Sequence, residues 1–323
     1  MKKKELTKGE NDLKSLDKLT APPLNSFVLP FYLTGSPTLQ TPKIRGRICR
    51  LVTPVTQILN RHNYPDPINS ILAEAMVVTS CLSTTFKLDG IITLQAKGDG
   101  PLTTLFCDVT NEGDLRSYAA YDKKAFEQKL FLQNDELTTL MADGYMAFTI
   151  EQSGPSERYQ GIVELSGKTV SDSVAVWFKN SEQIHTEFIT SVKNAGELWG
   201  AATLLIQKIA DAGGVENRAA DYDIEVWNNA KMFAQTITKE ELIDPKLKLE
   251  VILFKLFNEL GVYIQSPRFI NDRCRCNNEK VETILRSIDK DELVKLTDEN
   301  DNLVVDCEFC KKRRVFSSNL RSH

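Results

Sequence analysis

Four of the chain's seven cysteines lie in its last fifty residues, as CRC at 274–276 and CEFC at 307–310. Two close-set pairs divided by a loop supply four thiolates, which complete a tetrahedral zinc shell and leave no position for a reacting water. The chemistry expected of Cys274, Cys276, Cys307 and Cys310 is therefore that of a closed site holding one structural or regulatory Zn2+, without hydrolysis. CRC is the less usual half. With one residue between the cysteines in place of the common two, the backbone must bend before both sulfurs can face one ion. A disulfide between such near neighbours departs from relaxed geometry, and strained bridges are the more readily reduced. Arg273 and Arg275 flank the pair and favour thiolate over thiol. The four thiols read both as ligands and as an oxidation sensor.

The segment that must position them is poor in apolar residues. From Tyr263 to the end, a short helix carries Val281, Ile284, Leu285 and Ile288, and after it come Leu293, Leu296, Val304, Val305, Phe309 and Phe316. Such a module depends on its metal, because binding of a structural zinc contributes ~10–16 kcal/mol that is largely folding energy. Oxidising the ligands removes free energy comparable to a whole domain's net stability of roughly 5–15 kcal/mol. The plain alternative is a zinc knob that only holds a fold.

Two rival chemistries share these residues. Lys311, Lys312, Arg313 and Arg314 beside a zinc knuckle suit nucleic acid. Against that stand Asp289, Asp291, Glu292, Asp298, Glu299, Asp301 and Asp306 in the same module, and a net charge of -4. The other rival makes Cys307 and Cys310 a thiol-disulfide oxidoreductase pair. That chemistry wants the first cysteine at a helix N-terminus after a βαβ strand, whereas VVDCEFC reads as a strand and turn. There is no Ser/His/Asp set or paired-carboxylate site, and GKT at 167–169 lacks the upstream glycines of a P-loop. An enzyme is not expected.

The remainder of the chain predicts an α+β fold. Residues 1–24 read as a disordered tail: its lysines are followed by no apolar stretch, so no export signal is expected and the location is cytoplasmic. No apolar run is long enough to span a membrane. Residues 25–195 form a core. DPINSILAEAMVVTSCL is a helix capped by Asp66 with Pro67 in its first turn. GIITLQAKGDGPLTTLFCDVTNEGDLRSYAAYD is a three-stranded meander, GYMAFTIEQSGPSERYQGIVELSG a hairpin, TVSDSVAVWFKNS a helix and SEQIHTEFITSV a strand. Cys49, Cys81 and Cys107 sit in apolar runs and read as core, and His185 as no ligand. Glu182 and Gln183 read equally as hydrogen-bonding ties between the core and the linker after it or as plain surface residues.

Residues 196–262 read as a helical linker without strands. AGELWGAATLLIQKIADAGG is a helix stopped by Gly213 and Gly214, and DPKLKLEVILFKLFNELG is a helix opened at Asp244 and closed by Gly261. Between them, DYDIEVWNNAKMFAQTI carries a narrow stripe of Ile224, Trp227, Ala230, Ala234 and Ile237 that needs a neighbour to stay docked. Residues 263–323 are the cysteine module.

CRC, thirty residues, then CEFC, preceded by LFKLFNELGVYIQSPRFINDRC, resembles the redox-regulated thirty-three-kilodalton heat-shock chaperone family. NYPDPINSILAEAM, LDGIITLQAKGDGPLTTLFCDV, YQGIVELSG and SEQIHTEF resemble that family's core motifs in the same order. The resemblance implies β-sheets sandwiching a helical layer, a metastable linker and a redox switch. It implies zinc on Cys274, Cys276, Cys307 and Cys310 when reduced, and Cys274–Cys276 and Cys307–Cys310 disulfides when oxidised. Switch and linker would then unfold and the chain would hold unfolding client proteins without ATP, as a homodimer. Ser117 departs from the family's usual glycine, Lys311 from a small residue and Arg314 from an aromatic; the last two bear on zinc affinity and oxidation threshold.

Overall fold

A computed structural model describes residues 4–5, 26–85, 89–129, 136–152, 158–209, 217–289, 292–293, 297–300 and 302–317. Of the tail expected at 1–24 only Lys4–Glu5 fall within these, as strand β1. The other strands are β2 (Phe27–Leu33), β3 (Ile44–Leu51), β4 (Gly90–Gly98), β5 (Leu102–Thr110), β6 (Asp114–Tyr121), β7 (Gly144–Gln152), β8 (Tyr159–Glu164), β9 (Thr186–Ala195), β10 (Leu198–Lys208), β11 (Val262–Ile264), β12 (Arg268–Phe269), β13 (Asn271–Asp272), β14 (Asn302–Asp306) and β15 (Arg313–Ser317). The helices are α1 (Thr53–His62), α2 (Asp66–Leu82), α3 (Lys123–Lys129), α4 (Leu137–Met141), α5 (Val170–Asn180), α6 (Asn217–Ala234), α7 (Lys239–Ile243), α8 (Leu249–Phe257) and α9 (Asn278–Arg286). The chain divides into two compact units, Met1–Asp272 and Arg273–His323.

In the first unit, one sheet runs β1-β11-β2-β3-β10-β9, with β12 also on β2. The other runs β13-β6-β5-β4-β7-β8, antiparallel except where β13 joins β6. The predicted meander is β4 to β6 and the predicted hairpin is β7 with β8. One core contains side chains of both sheets together with α1, α2 and α5, giving the layered α+β architecture. Helix α2 is buried on all sides. Pro67 lies in its first turn as expected, but Pro65 occupies the cap position and Asp66 is already helical. Thr169 and Asp172 form a capping box on α5, and the buried Glu74 of α2 accepts from the N–H groups of Val170 (3.2 Å) and Ser171 (3.0 Å). The free donors of α5's first turn are thereby satisfied. Ser117 is buried too, its hydroxyl donating to the Phe106 carbonyl at 2.7 Å.

The helix expected across AGELWGAATLLIQKIADAGG is strand β10 over Leu198–Lys208, between β3 and β9; residues 210–216, with the proposed Gly213–Gly214 stop, lie outside the described residues. Both faces of β10 are covered. Ala201 and Leu205 belong to the core between the sheets, while Ala202, Leu204 and Ile206 belong to a second core with α6, α7 and α8. A strand buried on both faces reads as a continuous apolar run, which periodicity does not separate from a buried helix.

Helix α8 starts at Leu249, later than the Asp244–Pro245 opening predicted for it, and runs through a 3-10 turn to Gly261 at φ 65°. A Cβ there would lie 2.5 Å from the Ser36 carbonyl oxygen, so the closing position requires glycine. No helix among the described residues is long and apolar enough to cross a membrane.

In the second unit, β14 and β15 form an antiparallel hairpin, and α9 is capped by Asn277, whose side chain accepts from Lys280 N–H at 2.8 Å. The buried apolar side chains among its described residues are Leu285, Leu293 and Leu303.

Candidate metal and redox centre

The loop between β13 and α9 carries Cys274 and Cys276, and the β14–β15 turn carries Cys307 and Cys310. All four sulfurs lie within 4.8 Å of one another. Cys274 Sγ is 3.8 Å from Cys307 Sγ, and Cys276 Sγ is 3.4 Å from Cys310 Sγ. Thiolates around tetrahedral zinc, with Zn–S of ~2.3 Å, stand ~3.8 Å apart, whereas a disulfide requires ~2.05 Å. The cluster is therefore ligand-like and unbridged, and it could hold a metal ion.

Burial, reinforced by the neighbouring sulfurs of Cys276, Cys307 and Cys310, pushes the Cys274 thiol up to about 12. Four sulfurs this close cannot all ionise without a counter-charge, which is what a dication supplies. All four are half-buried, within reach of a small oxidant. Cys49, Cys81 and Cys107 are fully buried, as read from their apolar runs, and burial pushes Cys107 up to about 12. They are packing residues of the core.

The basic run after Cys310 is largely engaged within the unit. Lys311 pairs with Glu308 at 2.7 Å and Arg313 with Asp306 at 3.0 Å. Arg314, read in the sequence as part of a basic run and as a departure from the family pattern, donates to Cys276 Sγ at 3.0 Å. Lys311 N–H donates to the Cys307 carbonyl at 2.8 Å and closes the CEFC turn.

The Hsp33 protein family model matches residues 36–317. The chain belongs to the Hsp33 family. It is 32% identical over 275 residues to the 33 kDa chaperonin of Pseudomonas fluorescens, spanning 85% of this chain and 87% of that one. It is 30% identical over 275 residues to the 33 kDa chaperonin of Caulobacter vibrioides, spanning 83% and 89%. The crystal structure of the 33 kDa chaperonin from Thermotoga maritima superposes with a TM-score of 0.72 at 20% identity, covering 90% of this chain and 95% of that one, and shows the shared fold. Hsp33 membership makes the chain a chaperone.

Helices α6 to α8 of this Hsp33 chain cover one face of the first sheet. Of the predicted stripe, Ala230 and Ala234 are fully buried there, and Trp227 and Ile237 are half-buried. Ile224 is exposed, and Val226 is buried in its stead. Polar clamps fasten these helices. Lys43 of the core pairs with the buried Asp223 at 2.8 Å, and Glu187 of β9 with Lys231 at 2.6 Å. Arg50 of β3, fully buried, donates to the carbonyls of Leu242 (3.0 and 2.8 Å) and Leu247 (2.7 Å). Sequence reasoning missed Arg50, although an arginine inside IRGRICRL was the available signal. Glu182 accepts from the Tyr159 hydroxyl, a tie from β8 to the residues after α5 within the core rather than to the linker. His185 is exposed, with its ring 6.2 Å from that of Trp227, and is not part of the sulfur cluster.

Proposed function

We propose that the chain is a cytoplasmic, redox-regulated, ATP-independent holdase and not an enzyme. Its switch is one zinc ion on Cys274, Cys276, Cys307 and Cys310. The observation that carries this reading is the pairing of a four-sulfur cluster with a unit whose described residues bury three leucines. Burial of each contributes ~1.5–3 kcal/mol. A structural zinc contributes ~10–16 kcal/mol, so the cluster and not the leucines decides whether the unit is folded.

Bound zinc supplies charge neutralisation and a cross-link between the CRC loop and the CEFC turn. Oxidation converts Cys274 with Cys276, and Cys307 with Cys310, into disulfides. Each bridge forms as two thiolates lose one electron apiece to peroxide, whose O–O bond breaks and takes up two protons to leave two waters. The cross-link is then gone and the unit unfolds. Release extends to α6–α8, the linker, uncovering the apolar face they protect, including Leu29, Phe31, Ile48, Leu204 and Ile206. That face, together with the freed helices, captures unfolding client proteins, and the active form is a homodimer.

The test tracks zinc release and suppression of client aggregation in parallel, before and after peroxide at raised temperature. Both rise together and both reverse on adding a thiol reductant with zinc. Equal activity of the fully metallated and oxidised forms contradicts the switch.

A further inference from the structure

Arg314 is 7% exposed, and a buried guanidinium persists only where its N–H groups find acceptors. Nε donates to Asn278 Oδ1 at 3.0 Å, Nη1 to the Lys312 carbonyl at 3.3 Å, and Nη2 to the Cys276 carbonyl at 3.4 Å and Cys276 Sγ at 3.0 Å. No carboxylate is among these partners; the one group that can carry negative charge is the sulfur. Arg313, one residue earlier on the same strand, is exposed and paired with Asp306. Strand alternation turns Arg314 inward, so a single side chain joins the CRC loop, the start of α9 and the end of the CEFC turn.

We infer that Arg314 is a positioning residue of the cysteine cluster: it fixes Cys276 in its ligand orientation and offsets part of the thiolate charge, so that the cluster holds its ion more tightly and the Cys276 sulfur is less nucleophilic than the others. This rests on the proposed reading of the cluster as a zinc centre. Four thiolates around a dication carry a net negative charge of two, and a guanidinium in charge-assisted hydrogen bond to one of them relieves it. Partners of this kind orient metal ligands, and their loss typically costs ~10–100-fold in metal affinity. A sulfur lone pair engaged by an N–H is also less available to attack an electrophile.

The experiment uses full-length reduced protein and its Arg314→Met and Arg314→Lys variants. Failure of the wild type to retain zinc overturns the zinc reading itself, whatever Arg314 does. With zinc retained, competition against a chromophoric chelator gives Arg314→Met an affinity ~10–100-fold weaker, with Arg314→Lys between the two. In the zinc-loaded proteins, alkylation by iodoacetamide, which forms an S–C bond and releases iodide, accelerates several-fold at Cys276 in Arg314→Met and less at Cys307. With cobalt in place of zinc, the thiolate-to-metal charge-transfer band moves to longer wavelength in Arg314→Met and part of the way back in Arg314→Lys. Unchanged affinity overturns the proposal. So does an affinity loss in which all four cysteines accelerate alike and the cobalt band stays put, which marks packing alone.

Discussion

Lys311 holds φ at 54°, a left-handed backbone that a residue with a Cβ adopts at a cost of ~1–2 kcal/mol. The CEFC turn imposes it. Lys311→Gly relaxes the strain, and the greater freedom of glycine in the unfolded chain returns part of the gain. The exposed pair with Glu308 contributes little. The expected net effect is a second unit more stable by ~0.5–1 kcal/mol, read as a higher urea midpoint of the zinc-loaded protein; a lower midpoint contradicts this. Glu74 gives a pH prediction. Burial holds its carboxyl above the usual range, although the donors at Ser171 and Val170 pull the other way. A carboxyl raised in the fold favours the folded state most below the unfolded value of ~4.3, and that contribution is lost as pH rises through the folded value. Glu74→Gln therefore flattens the decline in thermal midpoint over that window, and an unchanged slope rules Glu74 out as its source. The grouping of the four cysteines was legible because two close-set pairs divided by a loop are a spacing common to metal sites, and the fold gathers their sulfurs into one cluster that could hold an ion. The partners of Arg314 were not, since they come from Asn278, Cys276 and Lys312, brought together only by the fold.

At the scale of elements, the meander, the hairpin and α5 were legible because each has one exposed face or a clear capping signal. Strand β10 was not, because cores on both of its faces erase the alternation. Of the predicted stripe, Trp227, Ala230, Ala234 and Ile237 pack against the second core and only Ile224, at its N-terminal edge, was misplaced, for a different reason. Asp223 is 4% exposed and sits next to the packed face through its pair with Lys43, while the apolar Ile224 points to solvent, so hydrophobicity alone selects the wrong edge. Arg50 decides how firmly α7 and the turn before α8 are held. Arg50→Met removes the donors to the Leu242 and Leu247 carbonyls, and each buried acceptor left unsatisfied costs ~1–3 kcal/mol. The expected outcome is faster hydrogen exchange over residues 239–253 and holdase activity in the reduced, metallated protein without oxidant. Exchange and basal activity like wild type would show that these contacts do not fasten the linker.

At the scale of the whole molecule, stability is unevenly supported. The first unit rests on two large apolar cores, whereas the described residues of the second bury three leucines beside a sulfur cluster that could hold an ion. An oxidant reaching the half-buried cysteines therefore acts on the unit with least apolar support, and the sheets of the first unit are expected to persist as the surface on which clients are held. Hydrogen exchange read by mass spectrometry on the zinc-loaded and the peroxide-oxidised, metal-free protein tests this most directly. Protection is predicted to collapse across residues 273–317, fall across α6–α8 and survive in β3, β4, β5 and β10. Protection of residues 273–317 that is the same in both forms would contradict the claim that the ion holds this unit folded.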